Sequence, residues 1–423
     1  LIRAHKRTDN KKGGKNMEKI KGGVTAAKGF EAASTAAGIK YKDRTDMALI
    51  YSQVPCEAAG TFTTNVVKAA PVKWDRQVVD SGKKAQAVIV NSGIANACTG
   101  AEGFGYCKDT AEAAAKYLSV DAEGVLIGST GVIGKQMPID RLTAGIEVLA
   151  GKKNDSIENG TEAAKAIMTT DTHEKELAVT IQVGGKTVTI GGMAKGSGMI
   201  HPNMCTMLAF VTTDAVITKE ALQKALSEDV VDTYNMISVD GDTSTNDTAL
   251  VLANGMVENP VIEYGTEDYQ TFKAALHEIN EYLAKQIAGD GEGATALFEV
   301  KVKGAESVEA AKVLAKSIAC SNLTKTAIAG HDANWGRIVC AMGYSGAQFD
   351  PEKVDLWFES AAGKLKIIEN GVSTGYSEEE ATKILSEKEV TAIADVKMGE
   401  ASATAWGCDL TFDYVKINAD YRS

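Results

Sequence analysis

Residues 195–215 read KGSGMIHPNMCTMLAFVTTDA. The stretch changes character in its middle. Its first part is polar and glycine-rich, the composition of a loop or of a tight backbone approach. Thr206–Thr213 (TMLAFVTT) is then a continuous run of apolar and β-branched residues. Such a run reads as a buried strand. A Thr at the head of that strand, taken alone, is an ordinary β-branched strand residue.

The flanking sequence supplies the rest of a layered domain. Upstream, Leu177–Val183 and Lys186–Ile190 are β-rich runs separated by Gly184-Gly185, a hairpin signal. Residues 107–118 are Ala-rich and helical, and 161–168 form a short helix with Thr161 as its cap. Downstream, Phe272, Leu276, Ile279 and Leu283 share one face of a helix over 267–287, which Gly289 ends. Ala296–Val302 alternates as a strand, and 306–318 is a further helix. Ser377 with Glu380 forms a capping box ahead of Ile384 and Leu385. Residues 402–418 alternate and read as one or two strands. The mixture predicts α/β or α+β, a large sheet with covering helices.

Composition narrows the function. The chain has 423 residues, 44% hydrophobic and 24% charged, which fits a globular protein with a sizeable core. A net charge of −11 argues against nucleic acid and against a membrane surface as partner. No apolar run is long enough to span a bilayer. The first Met is Met17, and residues 1–16 are basic without an apolar core; they are set aside as an upstream extension. Seven Cys without a CxxC pair read as reduced thiols, hence a cytoplasmic protein. The five His are scattered, so no metal site is expected.

Four Gly-rich segments invite a phosphate-loop reading: GGVTAAKGF (22–30), NSGIANACTG (91–100), GSTGVIG (128–134) and KGSGMIHPN (195–203). None has the spacing of a nucleotide loop, so each alone reads as a turn or a close packing site. DGDTSTND (240–247) is rich in Asp but lacks the glycine and closing Glu of a calcium loop; it reads as a polar loop bonded to itself.

These segments taken together resemble the ornithine acetyltransferases, the bifunctional glutamate N-acetyltransferases of arginine biosynthesis. KGFEAASTAAGIK (28–40), NSGIANACTG, GSTGVIG, AIMTTDT (166–172), KGSGMIHPNM–CTMLAF, SVDGDTSTND (238–247), GDGEGAT (289–295), GHDANWGRI (330–338) and SATAWGCDLTFDYVKINADYRS (402–423) carry the resemblance. It spans the chain from about residue 20 onward. It implies an αββα-type layered sandwich, similar in layering to N-terminal-nucleophile hydrolases. It also implies self-cleavage between Cys205 and Thr206, where Ala is the common residue before the Thr. The pieces 17–205 and 206–423 would be interleaved α and β chains, two copies of each per assembly. Thr206 would be the nucleophile, and Thr130 with Gly131 the oxyanion hole. Thr172, Lys195, Thr206, Glu292, Asn418 and Ser423 would line the substrate pocket. His201 has no role by this resemblance.

The chemistry is consistent with those residue types. A Thr hydroxyl is a poor nucleophile and needs a base. An N-terminal Thr carries its own: an α-amino group of pKa about 7.7–8.0 is partly neutral at working pH. An oxyanion needs aimed donors, which Thr130 O–H and Gly131 N–H supply. Without that context Thr130 reads as a cap at a strand-to-helix turn. Lys195 suits a substrate carboxylate and Glu292 a side-chain amine. The expected reaction moves an acetyl group from N2-acetylornithine to glutamate through an acetyl-Thr206 ester. No cofactor is expected, although acetyl-CoA is a further donor in some relatives. Two alternatives stay open at this level: an N-terminal-nucleophile aminopeptidase, with water as acceptor, and an uncut small-molecule-binding protein using the Gly loops.

Overall fold

A computed structural model describes residues 17–201 and 207–420. The sequence expectations for Cys205, Thr206 and Ser423, and for residues 1–16, lie outside the described residues.

The decisive strand is Leu208–Thr213, and all six of its residues are buried. Its alternate side chains enter different cores. Leu208 and Phe210 join Val90, Leu126, Leu250 and Leu252 on one face. Ala209 and Val211 join Val179, Ile190, Ile279 and Leu283 on the other. This is the period-two geometry of a strand covered on both sides, which explains the unbroken apolar run. The two polar residues at its end are satisfied: Thr212 Oγ1 donates to Val24 O at 2.8 Å and Thr213 Oγ1 to Thr189 O at 2.8 Å.

The strand lies inside a mixed nine-stranded sheet. Across the sheet the order is Glu18–Ile20, Lys175–Val183, Lys186–Lys195, Leu208–Thr213, Thr248–Ala253, Met47–Phe62, Ala85–Ile94 and Val125–Val132, with Phe30–Thr35 also paired to Met47–Phe62. Leu208–Thr213 runs antiparallel to Lys186–Lys195 and parallel to Thr248–Ala253, which in turn runs antiparallel to Met47–Phe62. Two strands that follow residue 206 are thus held between strands that precede it. A second, seven-stranded sheet comprises Val372–Ser373, Gly363–Glu369, Asp355–Ser360, Glu389–Asp395, Leu297–Ala305, Ala401–Cys408 and Ile237–Ser238 in spatial order. The fold is therefore α/β with two sheets, as the layered expectation required.

The long helix Glu267–Gly289 packs against strands of both sheets, burying Phe272, Leu276, Ile279, Leu283 and Ile287. Thr266 caps it, accepting from Tyr269 N, and Glu267 and Asp268 complement the dipole of its first turn. The hairpin pairs Val183 with Lys186, with Gly184 at φ +56° and Gly185 at φ +80°, the backbone a tight hairpin turn needs. Ser377 caps the helix Glu378–Leu385 by accepting from Glu380 N.

Three local expectations are corrected. The helix expected to start at Thr161 runs Ile157–Ala166, capped by Ser156; Thr161 lies inside it and donates to Ile157 O. Thr130 caps no helix, because GSTGVIG continues the strand Val125–Val132. Residues 402–418 are a strand, Ala401–Cys408, followed by a helix, Phe412–Asp420. The alternation there fails to separate the two because Phe412 and Val415 stay exposed and mark no face. The six described cysteines are all free. Among the described residues no helix is long and apolar enough to cross a membrane, and no His/Cys/Asp/Glu group could hold a metal.

Candidate active site

Lys195 ends its strand opposite Leu208, and the two residues face a cavity of about 160 Å³. The cavity is also lined by Thr130, Gly131, Thr169, Met207, Asn246, Glu292 and Asn418. Five residues singled out in the sequence are therefore brought together: Thr130, Gly131, Lys195, Glu292 and Asn418. They come from chain segments as far apart as the edge strand Val125–Val132 and the C-terminal helix Phe412–Asp420. Met207, the residue that follows Thr206, lines the same cavity.

Thr130 and Gly131 are held by a close crossing of backbones. The strand Val125–Val132 pairs in parallel with Ala85–Ile94, and Gly131 lies beside Gly93. Gly131 is at φ +128°, and a Cβ there would stand 2.3 Å from the Gly93 carbonyl carbon. Only glycine fits. Asn246 anchors the neighbouring strand ends, donating through Nδ2 to Ala95 O at 2.6 Å and Ser129 O at 2.8 Å. DGDTSTND is thus a wall of the cavity rather than a loop bonded only to itself.

Lys195 is buried, and its ammonium donates to Thr169 Oγ1 at 3.0 Å and Thr130 Oγ1 at 3.2 Å. Both hydroxyls accept, so the proton of Thr130 stays available for a group in the cavity. Burial pushes the Lys195 amine below its ordinary pKa, and the Asp171 carboxylate is the largest opposing influence. Burial works the other way on Asp171, but Lys195 and Lys175 overcome it and hold its carboxyl far below the usual carboxylate range. Opposite, Glu292 Oε2 accepts from Asn418 Nδ2 at 2.7 Å. A Cβ on Gly198 would stand 2.4 Å from the Glu292 carboxyl carbon, so this carboxylate lies over bare backbone.

Thr172 is placed differently from the expectation. Its hydroxyl donates to Asp290 Oδ1 at 2.5 Å, and it lines a second cavity instead of the first. Thr169, three positions earlier in TTDT, takes the pocket position. The sequence reading named Thr172 and not Thr169, because a loop of three threonines has no period that assigns faces. It also missed Asp171, Lys175 and Asn246. The only signal for the first two was an acid four residues before a base in DTHEK. His201 Nδ1 is 3.1 Å from Ser238 Oγ and 3.5 Å from Cys320 Sγ. Burial lowers its pKa to about 4, so it is neutral at physiological pH.

The ArgJ family profile matches residues 31–423. The arginine biosynthesis bifunctional protein ArgJ of Symbiobacterium thermophilum is 53% identical over 409 residues, covering 96% of this chain and 100% of its own. The protein of the same name from Caldanaerobacter subterraneus subsp. tengcongensis is 52% identical over 407 residues, again 96% of this chain and 100% of its own. Among solved structures, the arginine biosynthesis bifunctional protein argJ of Bacillus halodurans aligns with a TM-score of 0.49 at 49% identity, over 51% of this chain and all of that one.

Proposed function

The chain belongs to the ArgJ family, and from that premise we propose that it is a glutamate N-acetyltransferase of arginine biosynthesis. It takes acetyl from N2-acetylornithine and passes it to glutamate through an ester on Thr206. The observation that carries this reading is the cavity. Met207 opens into it beside a buried cation, Lys195, an acid, Glu292, and the Thr130–Gly131 strand end.

The chemistry follows in balanced steps. The Thr206 hydroxyl first attacks the Cys205 carbonyl carbon; the acyl group moves from N to O, and water hydrolyses the ester. Cys205 leaves as a carboxylate, and Thr206 gains a free α-amine. The interleaved strand order favours two pieces that remain together after this cut. In catalysis that amine takes the hydroxyl proton while Oγ1 attacks the acetyl carbonyl. The charge grows on the acetyl oxygen, where the Thr130 proton and the Gly131 N–H can meet it. Collapse breaks the C–N bond, the α-nitrogen takes the proton, and ornithine leaves. The glutamate α-amine then attacks the ester by the reverse path, giving N-acetylglutamate and free Thr206. Lys195 pairs with the substrate carboxylate, and Glu292 with the side-chain ammonium of ornithine.

The test is kinetic. Purified protein is given N2-acetylornithine with and without glutamate, and ornithine release is followed. Glutamate is expected to accelerate release and to appear stoichiometrically as N-acetylglutamate. Release that is indifferent to glutamate would make the protein a hydrolase and remove the transfer step.

A further inference from the structure

Bonded to the cavity wall is an ionic cluster that none of the steps above uses. The Lys175 side chain is 0% exposed, and its Nζ lies 2.8 Å from Asp171 Oδ1 and 2.6 Å from Asp290 Oδ2. The Asp171 carboxylate is also bonded to the walls of the cavity, and Asp290 reaches them through Thr172 and Ser197. Asp171 accepts from Gly196 N at 2.7 Å, next to Lys195, and from Thr169 N at 3.0 Å. Asp290 accepts from Thr172 N at 3.0 Å, and its carbonyl accepts from Ser197 Oγ at 2.7 Å. Glu292 N then donates to Ser197 O at 3.0 Å. One side of the cluster thus carries Lys195 and Thr169, and the other carries Glu292.

A buried cation between two carboxylates is a poor way to gain stability, because desolvation offsets the attraction. Its distinctive property is fixed geometry. We propose that Asp171, Lys175 and Asp290 form a spacer that sets the separation between the Lys195 wall and the Glu292 wall, and so selects the chain length of the diamino acid. The inference rests on the reading above, in which Lys195 holds the carboxylate and Glu292 the side-chain ammonium. These three are positioning residues, since none of them lines the cavity itself.

The test compares kcat/KM for N2-acetylornithine with that for its homologue one methylene longer, N2-acetyllysine, and one shorter, N2-acetyl-2,4-diaminobutyrate. Glutamate is the acceptor throughout. Wild-type protein should favour ornithine by roughly 10–200-fold per methylene. Lys175→Met, Asp171→Asn and Asp290→Asn should each shrink that ratio by about tenfold, mainly through KM. Where Lys175→Met does not fold, the two isosteric variants decide. Folded variants that lose activity equally on all three donors, or keep wild-type rates, would overturn the spacer while leaving the transferase intact. A wild-type protein that releases no ornithine would overturn both.

Discussion

Gly131 offers the sharpest structural test of the proposed oxyanion site. Gly131→Ala places a methyl group where the Gly93 backbone already stands: its Cβ would meet the carbonyl carbon at 2.3 Å and the oxygen at 2.5 Å. The obstacle is paired backbone, not a side chain that can rotate away. The φ of +128° adds its own penalty. Such a conformation costs about 1–3 kcal/mol for a residue with a Cβ, and forced overpacking about 1–3 kcal/mol more. Gly134→Ala is the internal control. Gly134 is also at positive φ, +80°, but nothing lies within 4 Å of its added Cβ. It should cost only about 1–2 kcal/mol. Thermal melting should therefore rank wild type, Gly134→Ala and Gly131→Ala in that order. The displaced strand end should also slow ornithine release by about 100-fold in Gly131→Ala, since a shift near 1 Å in a positioned donor costs that much. Equal melting and equal rates for the two variants would refute the close-approach argument and the role given to Gly131.

Other outcomes follow from the same geometry. Thr130→Val removes one oxyanion donor and should lower kcat by about 100- to 1,000-fold with little change in melting; a smaller effect in steady-state kinetics would take Thr130 out of the hole. Thr169→Val removes an acceptor of Lys195, whereas Thr172→Val leaves the cavity wall unchanged, so KM for N2-acetylornithine should rise about tenfold more in the first than in the second. His277 lies between Asp229 and Glu281, and hydrogen bonds to both raise its pKa to about 10. Its folded value exceeds its unfolded one, so its stabilisation is full below the unfolded pKa of about 6.5 and is lost as pH rises through about 10. His277→Gln should melt lower than wild type at pH 6, and the gap should close above about pH 10; a gap that widens with pH would reverse the assignment.

The fold was readable where burial is two-sided or periodic. Leu208–Thr213 and the helix Glu267–Gly289 show their environment in their spacing, because the core accepts only one pattern from each. The C-terminal helix was not readable, since Phe412 and Val415 point outward and its placement rests on tertiary contacts such as Asn418 with Glu292. For the site, the resemblance to the ornithine acetyltransferases pointed to the segments, whereas the glycines and charged residues alone read as turns and surface; neither told which hydroxyl of TTDT faces inward. Asp290 joins the Asp171–Lys175 pair from 115 or more positions away through burial, which no local pattern encodes.

The central claim is a self-made N-terminal nucleophile, and the most direct measurement is the intact mass of the purified protein beside its Thr206→Ala variant. The account predicts two fragments for the wild type, the second beginning at Thr206, and a single uncut chain for the variant. One uncut chain in both would leave the Thr206 amine locked in a peptide bond, with no base for its hydroxyl, and would contradict the mechanism.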